Sequence, residues 1–181
     1  MKMVKMRKVS FLFLLCCLCG LGACTKREPA NPVPALPPLT DTGANSFGCL
    51  VNGQLFLPVG KAGSWLQPLR CSYQEVSGRM VFQLDALNAD LDRHLVINID
   101  NIKLKKDTVL HYRSPEWGTE LSARYGKKLE YGTWENGSGE FRLTNLDLLR
   151  GIASGSFWFD AFDKSSGDTV KVRDGRFDVK F

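Results

Sequence analysis

GIASGSFWFDAFDKSSGDTVKVRDGRFDVKF, residues 151–181 of a 181-residue chain, is the stretch whose reading decides the fold. Apolar and polar side chains alternate along it with period 2, the pattern of a strand with one buried and one wet face. SGSFWFDAF (154–162) reads as one strand and DKSSGD (163–168) as a turn. DTVKVR and RFDVKF then read as two further strands, separated by Asp174-Gly175, a dipeptide suited to a two-residue hairpin. Folded that way, Val172 meets Phe177 and Val170 meets Val179 on one face. Lys171 meets Asp178 on the other, and Arg173 opposite Arg176 is the one mild conflict. The expectation is a three-strand antiparallel meander. Trp158 and Phe162 fall on the face opposite Phe157 and Phe159. A strand apolar on both sides is expected to be covered on both, which favours a sandwich with a covering loop.

The same alternation recurs upstream. Met80, Phe82, Leu84 and Ala86 share one face, with Arg79, Gln83 and Asp85 on the other. Leu95, Ile97 and Ile99 alternate with His94, Asn98 and Asp100, and Phe141 and Leu143 with Glu140, Arg142 and Thr144. One-sided strands of this kind belong to antiparallel sheets. Asn52-Gly53 separates FGCLV from QLFLP as a type I′ hairpin, and Pro58 at the end of the second arm suits an edge. Helix signal is confined to a turn or two at 145–150 and 86–92. The expected fold is therefore all-β: a single antiparallel β-sandwich or flattened barrel of about nine or ten strands by this strand spacing. A lipocalin-like up-and-down barrel is the alternative.

The amino terminus sets an address. Lys2, Lys5, Arg7 and Lys8 precede an apolar run from Val9 to Leu21, shorter than the roughly 20 residues a membrane-spanning helix needs. The run ends at Leu21-Gly22-Ala23-Cys24, which resembles the lipobox of bacterial lipoproteins. That resemblance implies a signal peptide over 1–23, cleaved before Cys24, and acylation of Cys24 itself. Two or more acyl chains hold a protein stably, at about 0.8 kcal/mol per buried methylene. Losing residues 1–23 removes four of the 24 basic residues and none of the 19 acidic ones, so the net charge falls from +5 to +1. Nothing in that balance suggests nucleic acid as a partner.

Cleavage also removes Cys16, Cys17 and Cys19, and lipidation uses Cys24, leaving Cys49 and Cys71. Both sit at inward strand positions in an exported protein, so a disulfide or two buried thiols would suit them equally. A bridge would close a loop of about 23 residues and contribute on the order of 3 kcal/mol. Residues 24–42 read as the lipidated cysteine and a tether, with prolines at 29, 32, 34, 37 and 38. Such a spacer reaches roughly 55 Å at about 3.1 Å per residue. Residues 43–181 then form the β domain.

TGANSFGCLVNGQLFLP (42–58) and the 151–181 stretch together resemble a family of uncharacterised cell-envelope lipoproteins, a domain of unknown function abundant in Bacteroidetes. The resemblance implies a β-rich envelope lipoprotein and carries no catalytic residues with it. Asp107-Thr108-Val109 and Asp168-Thr169-Val170 look like the Asp-Thr-aliphatic sites O-glycosylated in that group.

Catalytic motifs are absent from the sequence. His94 and His111 stand apart without metal-ligand spacing, no GxSxG elbow occurs, and Cys49 and Cys71 lack a CxxC arrangement. Asp160, Asp163 and Asp168 bracket a turn and offer oxygen ligands, but solvated turn residues explain them better than calcium. No metal and no cofactor is expected. Trp65, Trp117 and Trp134 fall in loops. Trp117 and Trp134 are the candidate stacking residues for a glycan, against the plainer reading that they cap the ends of the core.

The function expected is a non-enzymatic envelope lipoprotein, held to the membrane by its lipid, that binds a ligand or protein partner or has a structural or assembly role. A glycan-binding accessory is the first alternative and a hydrolase with a carboxylate pair the second. Thr25-Lys26 after the cysteine points to the outer membrane, on the periplasmic face or at the cell surface.

Overall fold

The computed structural model describes residues 35–112, 121–133 and 137–181. These lie in the second of the chain's two compact units, Pro34–Phe181. Eleven strands and no helix form among the described residues. They are β1 (Ser46–Val51), β2 (Gln54–Phe56), β3 (Leu69–Val76), β4 (Arg79–Asn88), β5 (Arg93–Asp100) and β6 (Val109–Tyr112). β7 (Leu121–Gly126), β8 (Tyr131–Gly132), β9 (Ser138–Asp147), β10 (Ile152–Phe162) and β11 (Thr169–Lys180) complete the set. The segments 145–150 and 86–92 make turns and strand ends, not helix.

All pairings between strands are antiparallel, in one sheet ordered β2-β1-β11-β10-β8-β7-β5-β4-β3. The sheet curls into a half-barrel, consistent with the expected all-β sandwich or flattened barrel. It departs from an up-and-down barrel where β5 pairs β7 and β8 pairs β10, with β6 and β9 set on a branch. β10 is long enough to serve both branches: it pairs β9 from Ile152 to Asp160 and then β8 at Phe162. At one end, Val59 after β2 forms a parallel bridge with Asn88 of β4, whose side-chain amide donates to the Leu57 carbonyl. That contact joins the segment after edge strand β2 to β4, the neighbour of the other edge strand β3.

Inside the curl, inward residues of distant strands meet. Phe82 of β4 lies 5.7 Å from Phe141 of β9 and 6.3 Å from Phe177 of β11, measured between ring centroids. Phe56 of edge strand β2 meets Tyr125 of β7 at 5.9 Å. Leu84, Leu95, Ile97, Ile99 and Leu143 are wholly buried around them. Burying one such side chain contributes about 1.5–3 kcal/mol.

The Asn52-Gly53 hairpin forms as expected: Val51 pairs Gln54, and both turn residues have positive φ, 50° and 80°. The Asp174-Gly175 hairpin does not. β11 runs straight through this dipeptide, so there is no three-strand meander and Lys171 does not meet Asp178. Lys171 instead faces Asp160 of β10, and the expected Arg173–Arg176 conflict disappears. The reason is a β-bulge. Phe157 pairs Gly175 and Phe159 pairs Val172, leaving Trp158 opposite two residues, Arg173 and Asp174. β1 on the other side skips a residue at the same place, with Gly48 opposite Arg176 and Leu50 opposite Arg173. Asp174 accommodates this at φ 52°, a conformation aspartate tolerates better than most residues. One extra residue reverses the alternation, so Val170, Val172, Phe177 and Val179 all point inward, as the hairpin would also have arranged.

Cys49 and Cys71 are free thiols, so the disulfide alternative is not formed. Cys49 is buried on β1, while Cys71 lies on edge strand β3 opposite Leu84. Burial pushes the Cys49 thiol far up and that of Cys71 up to about 12, which keeps both protonated.

Packing leaves no room beside Gly155. A Cβ there would sit 2.1 Å from the Arg142 carbonyl oxygen of β9 and 2.8 Å from the Phe177 ring. Gly155→Ala should destabilise the domain by about 1–3 kcal/mol. A melting temperature within experimental error of the parent would show that β9 and β10 are not packed as described.

Candidate functional site

Two strands dominate the outer face of the curl, and it divides along them. On β10, Ile152, Ser154, Ser156, Trp158 and Asp160 point outward in turn; on β11, Lys171, Arg173, Arg176, Asp178 and Lys180 do so. One end of this face is covered and the other is open.

The cover is the end of the proline-rich segment. Thr40 Oγ1 donates to Asp178 Oδ2 at 2.6 Å, and the backbone N–H groups of Thr42 and Ala44 donate to the same oxygen at 3.1 Å. Gly43 N–H and Ser154 Oγ donate to Oδ1 at 2.8 Å and 2.7 Å. Arg176 Nη1 donates to the Pro37 carbonyl, and Gly48 lies close against Pro37 and Leu36. Packing of the domain thus extends into residues expected to be free tether. Asp178 is only 1% exposed, and among the described residues none of its hydrogen-bond donors is a cation. Burial by itself would raise its carboxyl. The hydrogen bonds from Thr40, Ser154, Ala44 and Gly43 outweigh that and hold it well below the usual carboxylate range.

From Ser156 onward the face is open. Trp158, expected to be covered, is 39% exposed. A groove of about 470 Å³ lies beside it, lined by Glu140, Ser156, Phe157, Trp158, Arg173 and the bulge residues Asp174 and Gly175. Glu140 of β9 is directly opposite Trp158, and His111 of β6 is directly opposite Glu140, so the three form one row across three strands. Arg173 places its guanidinium 5.2 Å from the centroid of the Trp158 ring, a cation–π contact. It also donates to Asp160 Oδ1 at 2.6 Å and to the carbonyls of Phe159 and Val172. Arg142 donates through Nε and Nη2 to Glu140 Oε1. The polar groups around the indole are therefore oriented by one another.

The residues singled out from the sequence are distributed otherwise. Cys24, Trp117 and Trp134 lie outside the described residues. Trp65 is 88% exposed in the loop between β2 and β3. His94 on β5 belongs to no cluster with His111, and no group of three or more metal-ligating side chains occurs among the described residues. Asp160 is engaged by Arg173, and Asp163 caps its own turn, accepting from Ser165 and Ser166. Thr108 uses its hydroxyl in a turn with Lys105, while Thr169 opens β11 exposed. Trp158, Arg173 and Glu140 were not singled out. The signal available was the aromatic at an outward position in SGSFWFDAF, followed by charged outward residues.

Compared with known family models, characterised proteins and solved structures, the chain matches none.

Since the Asp178 carboxyl is held below its ordinary value near 3.9, the stability it contributes is complete above that pH and is lost as acid carries the solution below it. Asp178→Asn should lower the melting temperature at neutral pH, by about 2 kcal/mol or more of stability. It should also flatten the loss of stability on acidification below about pH 4. Parent and variant with the same melting temperature at pH 7 would mean the clasp contributes nothing.

Proposed function

We propose that this chain is an envelope lipoprotein, anchored through Cys24, whose β domain is a non-enzymatic binding module using its open outer face. The observation that carries the binding reading is the half-exposed indole of Trp158, set in a groove among polar side chains that already hold one another. A large aromatic left exposed amid fixed hydrogen-bonding groups is the composition of a recognition surface. Glu140 and Asp160 are both engaged as acceptors by guanidinium groups, which supports holding a ligand over acid–base chemistry.

The anchor reading rests on the basic start, the short apolar run and Leu21-Gly22-Ala23-Cys24. Residues 25–34 span about 31 Å at about 3.1 Å per residue when extended, enough to hold the domain clear of a lipid surface. Thr25-Lys26 after the cysteine fits the outer membrane. The clasp at Asp178 ties residues 40–44, at the domain end of the tether, to the carboxyl-terminal strand.

Membrane fractionation tests the anchor. The parent should run with the membranes and be released by detergent, while Cys24→Ala should be recovered as unprocessed precursor or in the soluble fraction, with its domain still folded. A variant both processed and membrane-bound would contradict the anchor.

A further inference from the structure

The open half of the outer face has a composition that selects a ligand class. Its centre is one large aromatic, Trp158, and among the described residues no other exposed apolar side chain lines the groove. Both donors and acceptors stand near the indole. Glu140 and Asp160 offer carboxylate oxygens, Arg142 and Arg173 offer guanidinium N–H groups, Ser156 offers a hydroxyl, and His111 stands in the same cross-strand row. Each of these two carboxylates is already paired with a guanidinium, so the charges of these two pairs largely cancel, and Asp174 adds a further carboxylate at the wall of the groove.

Three ligand chemistries meet this surface differently. A phosphate-rich polymer needs cations without internal counter-ions, and the two guanidinium groups beside the indole, Arg142 and Arg173, have theirs, while Lys171, Arg176 and Lys180 stand further along β11. An apolar peptide needs a row of apolar pockets, and here a single indole serves. A neutral sugar has the complementary features: ring C–H bonds that stack on an aromatic face, and equatorial hydroxyls that each donate and accept. Carboxylate and guanidinium side by side answer both halves of a hydroxyl's hydrogen bonding. The groove's volume of about 470 Å³ lies within the range of about 300–1,000 Å³ common to small-ligand sites.

We infer that the outer face of β6, β9, β10 and β11 is a binding platform for neutral polysaccharide, with Trp158 as the stacking residue and Glu140, Asp160, Arg142 and Arg173 as hydroxyl partners. This rests on the binding-module reading above and names its ligand class. The bulge is what makes the platform possible. By setting two residues of β11 opposite Trp158 alone, it brings the Arg173 guanidinium over the indole, where strict alternation would offer one side chain. Ion pairing fixes the rotamers of the polar groups before a ligand arrives, which lowers the entropy lost on binding.

The test is affinity electrophoresis of the full chain, in detergent, through gels containing neutral polysaccharides: xylan, mannan, β-glucan and starch, each in turn. At least one should retard the parent. Trp158→Ala should weaken that retardation by about tenfold or more, as truncation of a central aromatic anchor does. Trp158→Phe should restore part of it, and Trp65→Ala, at the exposed loop tryptophan, should leave it unchanged. Circular dichroism of Trp158→Ala should match the parent, since the side chain lies outside the core; if it does not, Glu140→Gln paired with Arg142→Gln serves as the second variant and should weaken retardation likewise. Retardation by none of the four polymers, or retardation that survives Trp158→Ala, would overturn the inference. Fractionation of Cys24→Ala is independent of this outcome, so failure of the ligand class and failure of the anchor remain distinguishable.

Discussion

One extra residue in one strand governs both the core and the surface of this domain. β11 has neighbours on both edges, β1 and β10, and each must leave a residue unmatched where Arg173, Asp174 and Gly175 pass. Without the bulge, Val172 and Phe177, five positions apart, would face opposite sides of the sheet, and one of them would leave the core. With it, both are buried, and Phe177 completes the aromatic cluster with Phe82 and Phe141. Gly175 is confined to glycine by the Phe157 ring, which a Cβ would meet at 2.4 Å. On the outer side the same irregularity sets Arg173 over Trp158. Interior packing and the groove are thus two consequences of a single local geometry.

The alternation in 151–181 was a sound guide to which residues point inward and a poor guide to connectivity, and the reason is parity. An odd separation between two inward residues is satisfied by a two-residue hairpin or by a one-residue bulge, and Asp174-Gly175 suits either. What decides between them is non-local. β1 occupies one edge of β11 and β10 the other along most of its length, so there is no free edge on which the strand could fold back. Asn52-Gly53 carries much the same local signal and does form a hairpin, because β2 is free to be the edge. Asp178 was equally opaque. It reads as an ordinary outward carboxylate between Phe177 and Val179, and its donors Thr40, Thr42, Gly43 and Ala44 lie some 135 residues away. A clasp of that kind leaves no periodic trace.

Asp178 and Trp158 stand on the same face and divide it. The covered half contains a carboxylate whose donors are hydroxyls and backbone N–H groups, which ties residues 40–44 to the carboxyl-terminal strand. In the open half, carboxylates are paired with guanidinium groups around an exposed ring. β11 contributes to both halves, Asp178 to the covered one and Arg173 to the wall of the groove.

The continuity of β11 through Asp174-Gly175 is the claim on which this account turns, and cross-strand proton contacts measured by nuclear magnetic resonance test it most directly. The bulged strand predicts contacts of Val172 with Phe159 and Val51, and of Phe177 with Gly155 and Phe47. Backbone contacts between Val172 and Phe177 as directly paired residues would establish the hairpin instead, and with it remove the geometry that joins Arg173 to Trp158.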